Sequence, residues 1–230
     1  MIQTERATAR GQSAGKRVLK PQQRRQEILD AALRLFNERG FESTTVADIA
    51  RAAGAAKGTV YLYFPSKEDV LRGLYEAFYQ GLGAHFTAII TRLIEDREAG
   101  AIRDYRDAID RVFDGLISYS LENRDLCRLL IDAGPQLHRQ RGARAEDEFV
   151  HFMAQSFEEA TRQGRMHTSD PDMTAFLLNA ALTAGVTHAF AYEDRFDLER
   201  VVAATREMFY KALAPEGSLP PRALGPSGDD

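Results

Sequence analysis

The sequence predicts an all-α protein of about nine helices, in which an N-terminal three-helix, helix-turn-helix module precedes a C-terminal helical bundle. Three observations lead to this fold class. Apolar residues recur at spacings of three and four along most of the 230-residue chain, which is the period of an amphipathic helix. No stretch alternates between apolar and polar residues as a half-buried strand does. Two short helical segments between residues 44 and 67 flank a glycine-containing turn, as in a helix-turn-helix.

Composition divides the chain into four parts. Residues 1–20 are polar and basic and lack helical periodicity, so we expect a disordered arm. Residues 21–66 form the predicted helix-turn-helix domain, called the N-terminal module below. Residues 67–214 form the predicted ligand-binding and dimerisation domain, called the body. Residues 215–230 are rich in Pro, Gly and Ser and are predicted to be a disordered tail.

The first predicted helix of the N-terminal module runs from Pro21 to Arg39. Proline suits the first turn of a helix, and Ile28, Ala32 and Leu35 form one apolar stripe. Gly40 ends the helix. We expect this helix to support the two shorter ones that follow.

The two short helices are delimited by capping and breaking residues. Thr44 or Thr45 can cap the first, because a threonine hydroxyl accepts a bond from a free backbone N–H. Gly54 then suits a left-handed helix exit. The next helix spans Lys57–Tyr63, and Pro65 stops it, since the residue before a proline avoids helical angles.

The outward surface of the second short helix carries groups that suit DNA. Lys57, Gly58, Thr59, Tyr61 and Tyr63 combine a cation, a bare backbone, a hydroxyl and two phenols. Cations and hydroxyls bind phosphates, and a small residue permits close approach to base edges. The alternative is an ordinary pair of packing helices with surface tyrosines.

The charge distribution also favours a DNA-facing N-terminus. The net charge of −4 argues by itself against a nucleic-acid binder. Residues 1–75, however, hold 13 Lys+Arg and 8 Asp+Glu, a charge of +5, whereas the remainder holds 17 and 26, a charge of −9. A basic end on an acidic body fits one DNA-binding module attached to another kind of domain, although chance clustering gives differences of this size.

The body begins with a long helix that Ser66 caps and that runs to about Arg97, with Gly81 and Gly83 as points where it could bend. Hydrophobic periodicity predicts five further helices. They cover residues 105–122, 125–133, 143–164, 171–192 and 198–213, with a loop or frayed turn over 136–142.

One body segment, Met173–Tyr192, has no charged residue over twenty positions. Its length alone matches a membrane span, but its polar residues and many alanines argue against one. A helix that is apolar all round is buried all round, and in a protein of this size that needs a second chain. We therefore predict a homodimer through Pro171–Glu193 and Leu198–Leu213, with close approach along a small-residue stripe. The stripe consists of Ala181, Gly185, Ala189 and Tyr192.

Catalytic and metal-binding patterns are absent from the sequence. We find no zinc ligand spacing, Gly-rich phosphate loop or nucleophile elbow, so no cofactor, metal or enzyme activity is expected, and an all-α hydrolase or transferase ranks last. Cys127 is the only cysteine, which excludes an intrachain disulfide and favours a reducing compartment. No signal peptide is visible, and we expect a cytoplasmic protein.

Aromatic side chains on several body helices suggest an internal ligand site. Helical bundles hold such sites between their helices, although aromatic rings also simply fill cores. Few charges accompany these residues, so a neutral or weakly polar molecule is expected, with His188 and Tyr119 as polar contacts. The candidates are Phe86, Phe113, Tyr119, Phe152, Met153, Phe157, Phe176, His188 and Phe190.

Residues 23–71, about a fifth of the chain, resemble the TetR family of transcriptional regulators. The resemblance rests on Gly40-Phe41, Thr44-Thr45, Ile49-Ala50, Ala53-Gly54, Lys57-Gly58-Thr59, Tyr61-Leu62-Tyr63-Phe64 and Lys67. One departure is Ala55-Ala56, where the family often has a hydroxyl residue that caps the second short helix.

The resemblance implies a dimeric repressor that binds a palindromic operator in double-stranded DNA and is released by a small apolar effector. It implies that Lys57, Gly58, Tyr61 and Tyr63 face DNA. It also implies that Thr44, Thr45, Thr59 and Lys67 mainly hold phosphates. The last two long helices would pair with their copies as a four-helix dimer interface. The long helix after Ser66 would link the DNA-binding module to the body, so that tilting it moves the module. The alternative is a helical binding or scaffold protein with non-specific DNA binding.

Overall fold

The computed structural model describes residues 20–129, 144–192 and 197–217, and within these ranges every regular element is a helix, which confirms the predicted fold class. The helices are α1 (Pro21–Arg39), α2 (Val46–Ala52), α3 (Lys57–Tyr63), α4 (Lys67–Glu98), α5 (Tyr105–Glu122), α6 (residues 124–129), α7 (Arg144–Arg162), α8 (Pro171–Ala191) and α9 (Leu198–Ala212). The predicted arm before residue 20, the loop at 136–142 and the tail after residue 217 lie outside the described residues.

The N-terminal module folds as its capping residues predict. Thr45 caps α2 in a capping box: its hydroxyl accepts from Asp48 N, and the Asp48 carboxylate accepts from Thr45 N. Gly54 has a left-handed φ of 58° in the turn, which only glycine adopts at little cost. Val60 and Phe64 are buried against α1 and α4, at 0% and 4% exposure. The three helices therefore form one small core.

Helix α4 is a single helix of 32 residues that continues through both predicted bend points. A Cβ at Gly81 would overlap the Tyr119 hydroxyl, which donates to the Phe78 carbonyl at 3.1 Å. Gly81 thus permits α5 to approach α4 closely and does not bend the helix.

The first turns of α4 are fastened to the N-terminal module. A Cβ at Gly73 would come within 2.6 Å of the Phe64 ring, so this ring packs directly on the backbone of α4. The Arg25 guanidinium lies 5.2 Å from the centre of the same ring and 3.8 Å from the Glu76 carboxylate. The start of α4 and the end of α3 must therefore move together.

The body packs α4, α5, α7, α8 and α9 around an aromatic core. Phe86 of α4 makes edge-to-face contacts with Phe149 and Phe152 of α7, with ring centres 5.7 and 5.5 Å apart. Cys127 is buried in this core, and burial raises the pKa of its thiol to about 12, as expected of a structural cysteine.

A polar network joins three of the body helices. The Glu146 carboxylate of α7 accepts from the hydroxyls of Tyr75 and Tyr79 on α4, the latter at 3.2 Å, and from the Asn179 amide of α8 at 3.2 Å. Burial and this carboxylate raise the pKa of Tyr79 to about 12. Both tyrosine hydroxyls therefore stay protonated and donate to a half-buried carboxylate, which satisfies its acceptor groups.

Candidate functional site

The outer face of α3 is exposed and largely uncharged. Lys57 and Gly58 are exposed at its start, and Tyr61 and Leu62 are 44% and 85% exposed further along. The Lys57 ammonium lies 5.7 Å from the centre of the Tyr61 ring, close enough for a cation–π contact. This surface combines one cation with aromatic and aliphatic groups that can reach base edges.

Leu62 is a surface residue that the interpretation of the sequence did not single out. It lies two positions after the buried Val60, on the opposite side of the helix. The helical period of the sequence therefore already predicts that the Leu62 side chain faces outward. A leucine that is 85% exposed on this face offers an apolar contact, such as one with a thymine methyl group.

No side chain of the described residues packs against Gly58. A Cβ at this position would meet nothing within 4 Å, and φ is not positive. A helix is more stable with alanine than with glycine. The bare backbone at Gly58 therefore leaves open space on the outer face of α3.

Thr59 and Tyr63 are half-buried, and Tyr63 packs against the core of the module. Helix α3 begins without a side-chain cap, as predicted from the alanine at Ala56. Thr59 and Tyr63 each keep part of their side chain exposed on the same helix as Lys57 and Tyr61.

Thr44 requires a correction. Its side chain is 1% exposed, and its hydroxyl donates to the carbonyls of Gly40 at 2.9 Å and Leu35 at 3.3 Å. A buried hydroxyl with these bonds is not available to a phosphate. Thr44 holds the loop between α1 and α2, whereas Thr45 is exposed and caps α2.

Lys67 was predicted to bind phosphate, but two of its hydrogen bonds are made inside the protein. Its ammonium donates to the carbonyls of Phe41 at 2.8 Å and Glu42 at 3.2 Å and lies 4.3 Å from the centre of the Phe41 ring. An ammonium has three N–H groups, so one remains for a phosphate. The first role of Lys67 is to tie the α1–α2 loop to α4.

The body contains a cavity of about 270 Å³ between α4, α5, α7 and α9, just below the range of ordinary ligand sites. Four of the nine predicted ligand contacts line it, namely Phe86, Phe152, Met153 and Phe157. Its other apolar lining residues are Ile90, Leu93, Ile94, Ala108, Ile109, Val112, Ala160, Met166, Phe209 and Leu213.

Five predicted ligand contacts lie elsewhere, including Phe190, which is buried with the Arg124 guanidinium 5.3 Å from its ring centre. Phe113 is buried edge-to-face against Phe209, and Tyr119 bonds to α4, so both serve the core. Phe176 is 54% exposed, and His188 is exposed with its Nδ1 2.8 Å from the Ala184 carbonyl. Helix α8 turns these last two side chains outward, so neither contacts the cavity.

The polar groups of the cavity come from residues that the sequence analysis did not consider. Arg97 belongs to the last turn of α4, and Arg165 follows the end of α7. Gln155, Ser156 and Glu159 of α7 complete the polar lining. The Glu159 carboxylate accepts from the Arg162 guanidinium, and this bond lowers the pKa of Glu159.

The outer face of α8 is apolar, and of the predicted stripe it includes only Tyr192. A Cβ at Gly185 would lie 2.7 Å from Val201 of α9, so Gly185 packs inside its own chain, and Ala189 is buried. The exposed uncharged residues of α8 instead follow one line, with Met208 of α9 as a further exposed side chain. They are Met173, Phe176, Leu177, Ala180, Ala184 and His188, followed by Tyr192, and are called the outer face of α8 below.

In the described residues, α8 is the one helix that is long and apolar enough to cross a membrane, and 44% of its apolar window is buried against the rest of the protein. A helix that packs one side on the core and presents a second apolar side to a partner has the same composition as a membrane span.

Two family models match the chain. The model described as bacterial regulatory proteins of the tetR family matches residues 28–74, which cover α2, α3 and the first turns of α4. The model described as a tetracyclin repressor-like C-terminal domain matches residues 124–211.

Curated relatives and solved structures agree with these models. The transcriptional repressor KstR2 of Rhodococcus jostii is 35% identical over 132 residues, or 48% of this chain and 65% of its own length. The regulator AcrR of Shigella flexneri is 42% identical over 62 residues, or 27% of this chain and 29% of its own length. The chain thus spans less than two thirds of either relative. The structure of a complex of SmeT, a multidrug efflux pump repressor of Stenotrophomonas maltophilia, with triclosan superposes with a TM-score of 0.59 at 20% identity, covering 90% of this chain and all of that one.

Proposed function

Because the chain belongs to the TetR family of bacterial transcriptional regulators, we propose that it is a ligand-responsive repressor. It binds a palindromic operator as a dimer in the cytoplasm, and a small effector with a largely apolar body releases it. The family comprises regulators, so the chemistry of this protein is binding.

The observation that carries the proposal is that α4 is shared by the two sites. At its start, Gly73 packs directly on Phe64 at the end of α3. Some turns later, Phe86, Ile90 and Leu93 of the same helix form a wall of the cavity. A ligand that displaces this wall therefore displaces α3, and this connection supports coupling between the two sites.

The DNA contacts follow from the exposure of α3. Lys57, Gly58, Tyr61 and Leu62 would meet base edges and the sugar-phosphate backbone in the major groove, where a recognition helix lies. Thr45, Thr59, Tyr63 and the remaining N–H of Lys67 would contribute phosphate contacts, which position the protein without reading sequence. Thr44 is not among the contacts, because its hydroxyl is buried.

The outer face of α8 supports a symmetric dimer. Exposed Met173, Phe176 and Leu177 form an apolar surface that a monomer would leave in water. A two-fold axis places the same face on both chains, and α9 would join it through Met208. Two α3 helices then read half-sites about one turn of DNA apart, roughly 34–36 Å, or a multiple of that distance.

The effector controls operator binding only if it binds the two arrangements of α4 with different affinity. Coupling of about 1–3 kcal/mol is typical, which is a change of about 5–150-fold in affinity. The apolar walls of the cavity support an effector with an apolar body, and the SmeT–triclosan complex is a relative's example of a small molecule bound to this fold.

Fluorescence anisotropy with duplexes from the chain's own upstream region tests the function. We expect nanomolar binding to one palindromic duplex and much weaker binding to a shuffled duplex at the same salt concentration. Equal binding to both duplexes would support the scaffold alternative instead.

Replacing Lys57 with Met separates base recognition from phosphate contact. If Lys57 reads a base, Lys57→Met lowers the ratio of specific to non-specific affinity, whereas loss of a phosphate contact weakens both equally and reduces the salt slope by about 1. Arg103→Met is the control for the loss of a cation, because Arg103 lies between α4 and α5, is 84% exposed and pairs with Asp107. It should leave DNA binding unchanged.

A further inference from the structure

Two arginines are among the few polar residues that line the largely apolar cavity. Both Arg97 and Arg165 line it and are half-buried. Among the described residues, neither side chain takes part in an ion pair, and the Arg165 Nε is buried without a hydrogen-bond partner. A buried N–H of a cation without an acceptor is costly, and such a group in a native protein calls for an explanation.

The turn that ends α7 fixes the position of Arg165. Gly164 is left-handed at φ 67°, Gly164 N donates to Thr161 O, and Arg165 N donates to Ala160 O, each at 2.9 Å. This Schellman arrangement reverses the chain at a defined angle. It brings Arg165 back against the cavity, beside the last turn of α4 that carries Arg97.

Glu159 is the acid among the lining residues, and its charge acts to raise the pKa of Arg165, but one carboxylate cannot balance two arginines. Its carboxylate also accepts three bonds from Arg162, between 2.5 and 2.9 Å long. Burial and the charge of Arg97 lower the pKa of Arg165, which places the two cations within electrostatic reach of each other. Two like charges at one site, with their acid already paired, leave that end of the cavity electropositive.

We propose that the cavity binds an anionic amphiphile, with its carboxylate held by Arg165 and Arg97 and its hydrocarbon part between Phe86 and Phe152. The inference rests on the proposed function in treating this cavity as the effector site, and it adds the chemical class of the effector. The guanidinium groups of Arg165 and Arg97 would donate to the carboxylate, since arginine is well suited to bind a carboxylate through two parallel hydrogen bonds. The head group thereby differs from the neutral one that the sequence predicted.

The head group is tested with pairs of probes that share one hydrocarbon body. Decanoate is compared with decan-1-ol and decylamine, and 2-naphthoate with 2-naphthol, by isothermal titration calorimetry on the full chain. We expect each carboxylate to bind at least tenfold more tightly than its neutral partner, and decylamine to bind more weakly than decan-1-ol.

Arginine variants locate the binding of the carboxylate. Arg165→Met and Arg97→Met keep an apolar side chain at the site and should each remove most of the preference for carboxylate while leaving alcohol binding unchanged. Arg92→Met is the control, because Arg92 is exposed on the same helix as Arg97 and does not line the cavity. It should keep the full preference.

Equal affinity of wild type for decanoate and decan-1-ol, absence of binding by every probe, or an undiminished preference in both cavity variants would overturn the inference. Operator binding is measured separately in the same samples. If carboxylates bind through Arg165 but leave operator affinity unchanged, the effector class stands and release by this site fails. If neutral compounds release the operator as well as carboxylates do, the repressor function stands and the inference fails.

Discussion

Replacing Gly58 with alanine should make the protein more stable and a weaker DNA binder. The reason is that the space above Gly58 is empty in the free protein, where a Cβ would meet nothing within 4 Å. The added methyl group therefore costs nothing in packing, and alanine restricts the unfolded chain more than glycine does.

The magnitudes follow from this geometry. Gly→Ala at a compatible backbone position stabilises by about 0.4–1 kcal/mol, which raises the Tm by about 1–4 °C for a chain of this size. On DNA the same methyl group occupies the space into which the sugar-phosphate backbone or a base edge would fit. A displacement that weakens even one good contact costs about 1.4 kcal/mol, which is a tenfold loss of affinity.

The assay combines thermal unfolding with operator anisotropy, and Gly83→Ala is the matched control. Gly83 also lies inside a helix, and a Cβ there also meets nothing within 4 Å, but it is on α4, far along the chain from α3. Both variants should gain stability, and only Gly58→Ala should lose operator affinity.

Unchanged operator affinity in Gly58→Ala, together with the expected gain in Tm, would refute the reasoning, because it would show that no part of the DNA approaches this position. Equal losses in both glycine variants would show that α4, and not α3, determines the effect.

Two further predictions concern stability and assembly. Thr44→Val removes the hydroxyl that bonds to Gly40 and should lower the free energy of unfolding by about 1 kcal/mol. The Tm should fall by about 2–4 °C, while operator affinity stays the same. A large loss of affinity with an unchanged Tm would show that Thr44 contacts DNA after all. Phe176→Glu places a charge on the outer face of α8 and should convert the dimer to a monomer in light scattering at micromolar concentration and weaken operator binding at least tenfold. Leu121→Glu, at a similarly exposed position on α5, should remain a dimer, and a dimeric Phe176→Glu variant would contradict the proposed interface.

Helix boundaries followed closely from the sequence because local residues determine them. Helices α1, α3 and α5 begin and end at the predicted residues. Proline, glycine and capping side chains act on their own neighbours, so no knowledge of the rest of the fold is needed.

The orientation of α8 did not follow from the sequence. A helix that is apolar on every side carries no periodic pattern to show which side faces its own chain. Small residues on one side suggested a close approach by a partner helix, and that approach does occur at Gly185, but the approaching helix is α9 of the same chain. Only the packing of α8 on α7 and α9 reveals that Phe176 and His188 point outward.

The arginines of the cavity were also beyond sequence patterns. Arg97 lies in a segment that is rich in charge, and Arg165 follows a helix end, where charged residues are usually solvated. The left-handed Gly164 turn and the end of α4 bring them together. Thr44 is a similar case, because its hydroxyl is used by a loop carbonyl that only the folded chain places within reach.

The Glu146 network has a mechanical consequence for α4. Its two tyrosines are bonded to one carboxylate on a neighbouring helix, so axial rotation of α4 breaks those bonds, whereas a rocking motion about them does not. At 1.5 Å per residue, the pivot near residue 77 is about 15 Å from the start of α4 at Lys67 and about 24 Å from Leu93 in the cavity wall. A push of 1 Å at Leu93 then moves the start of α4 about 0.6 Å in the opposite direction. If a ligand displaces α4 at the cavity wall, as proposed above, the start of α4 and the adjoining α3 move by a smaller distance and with a proportionally larger force.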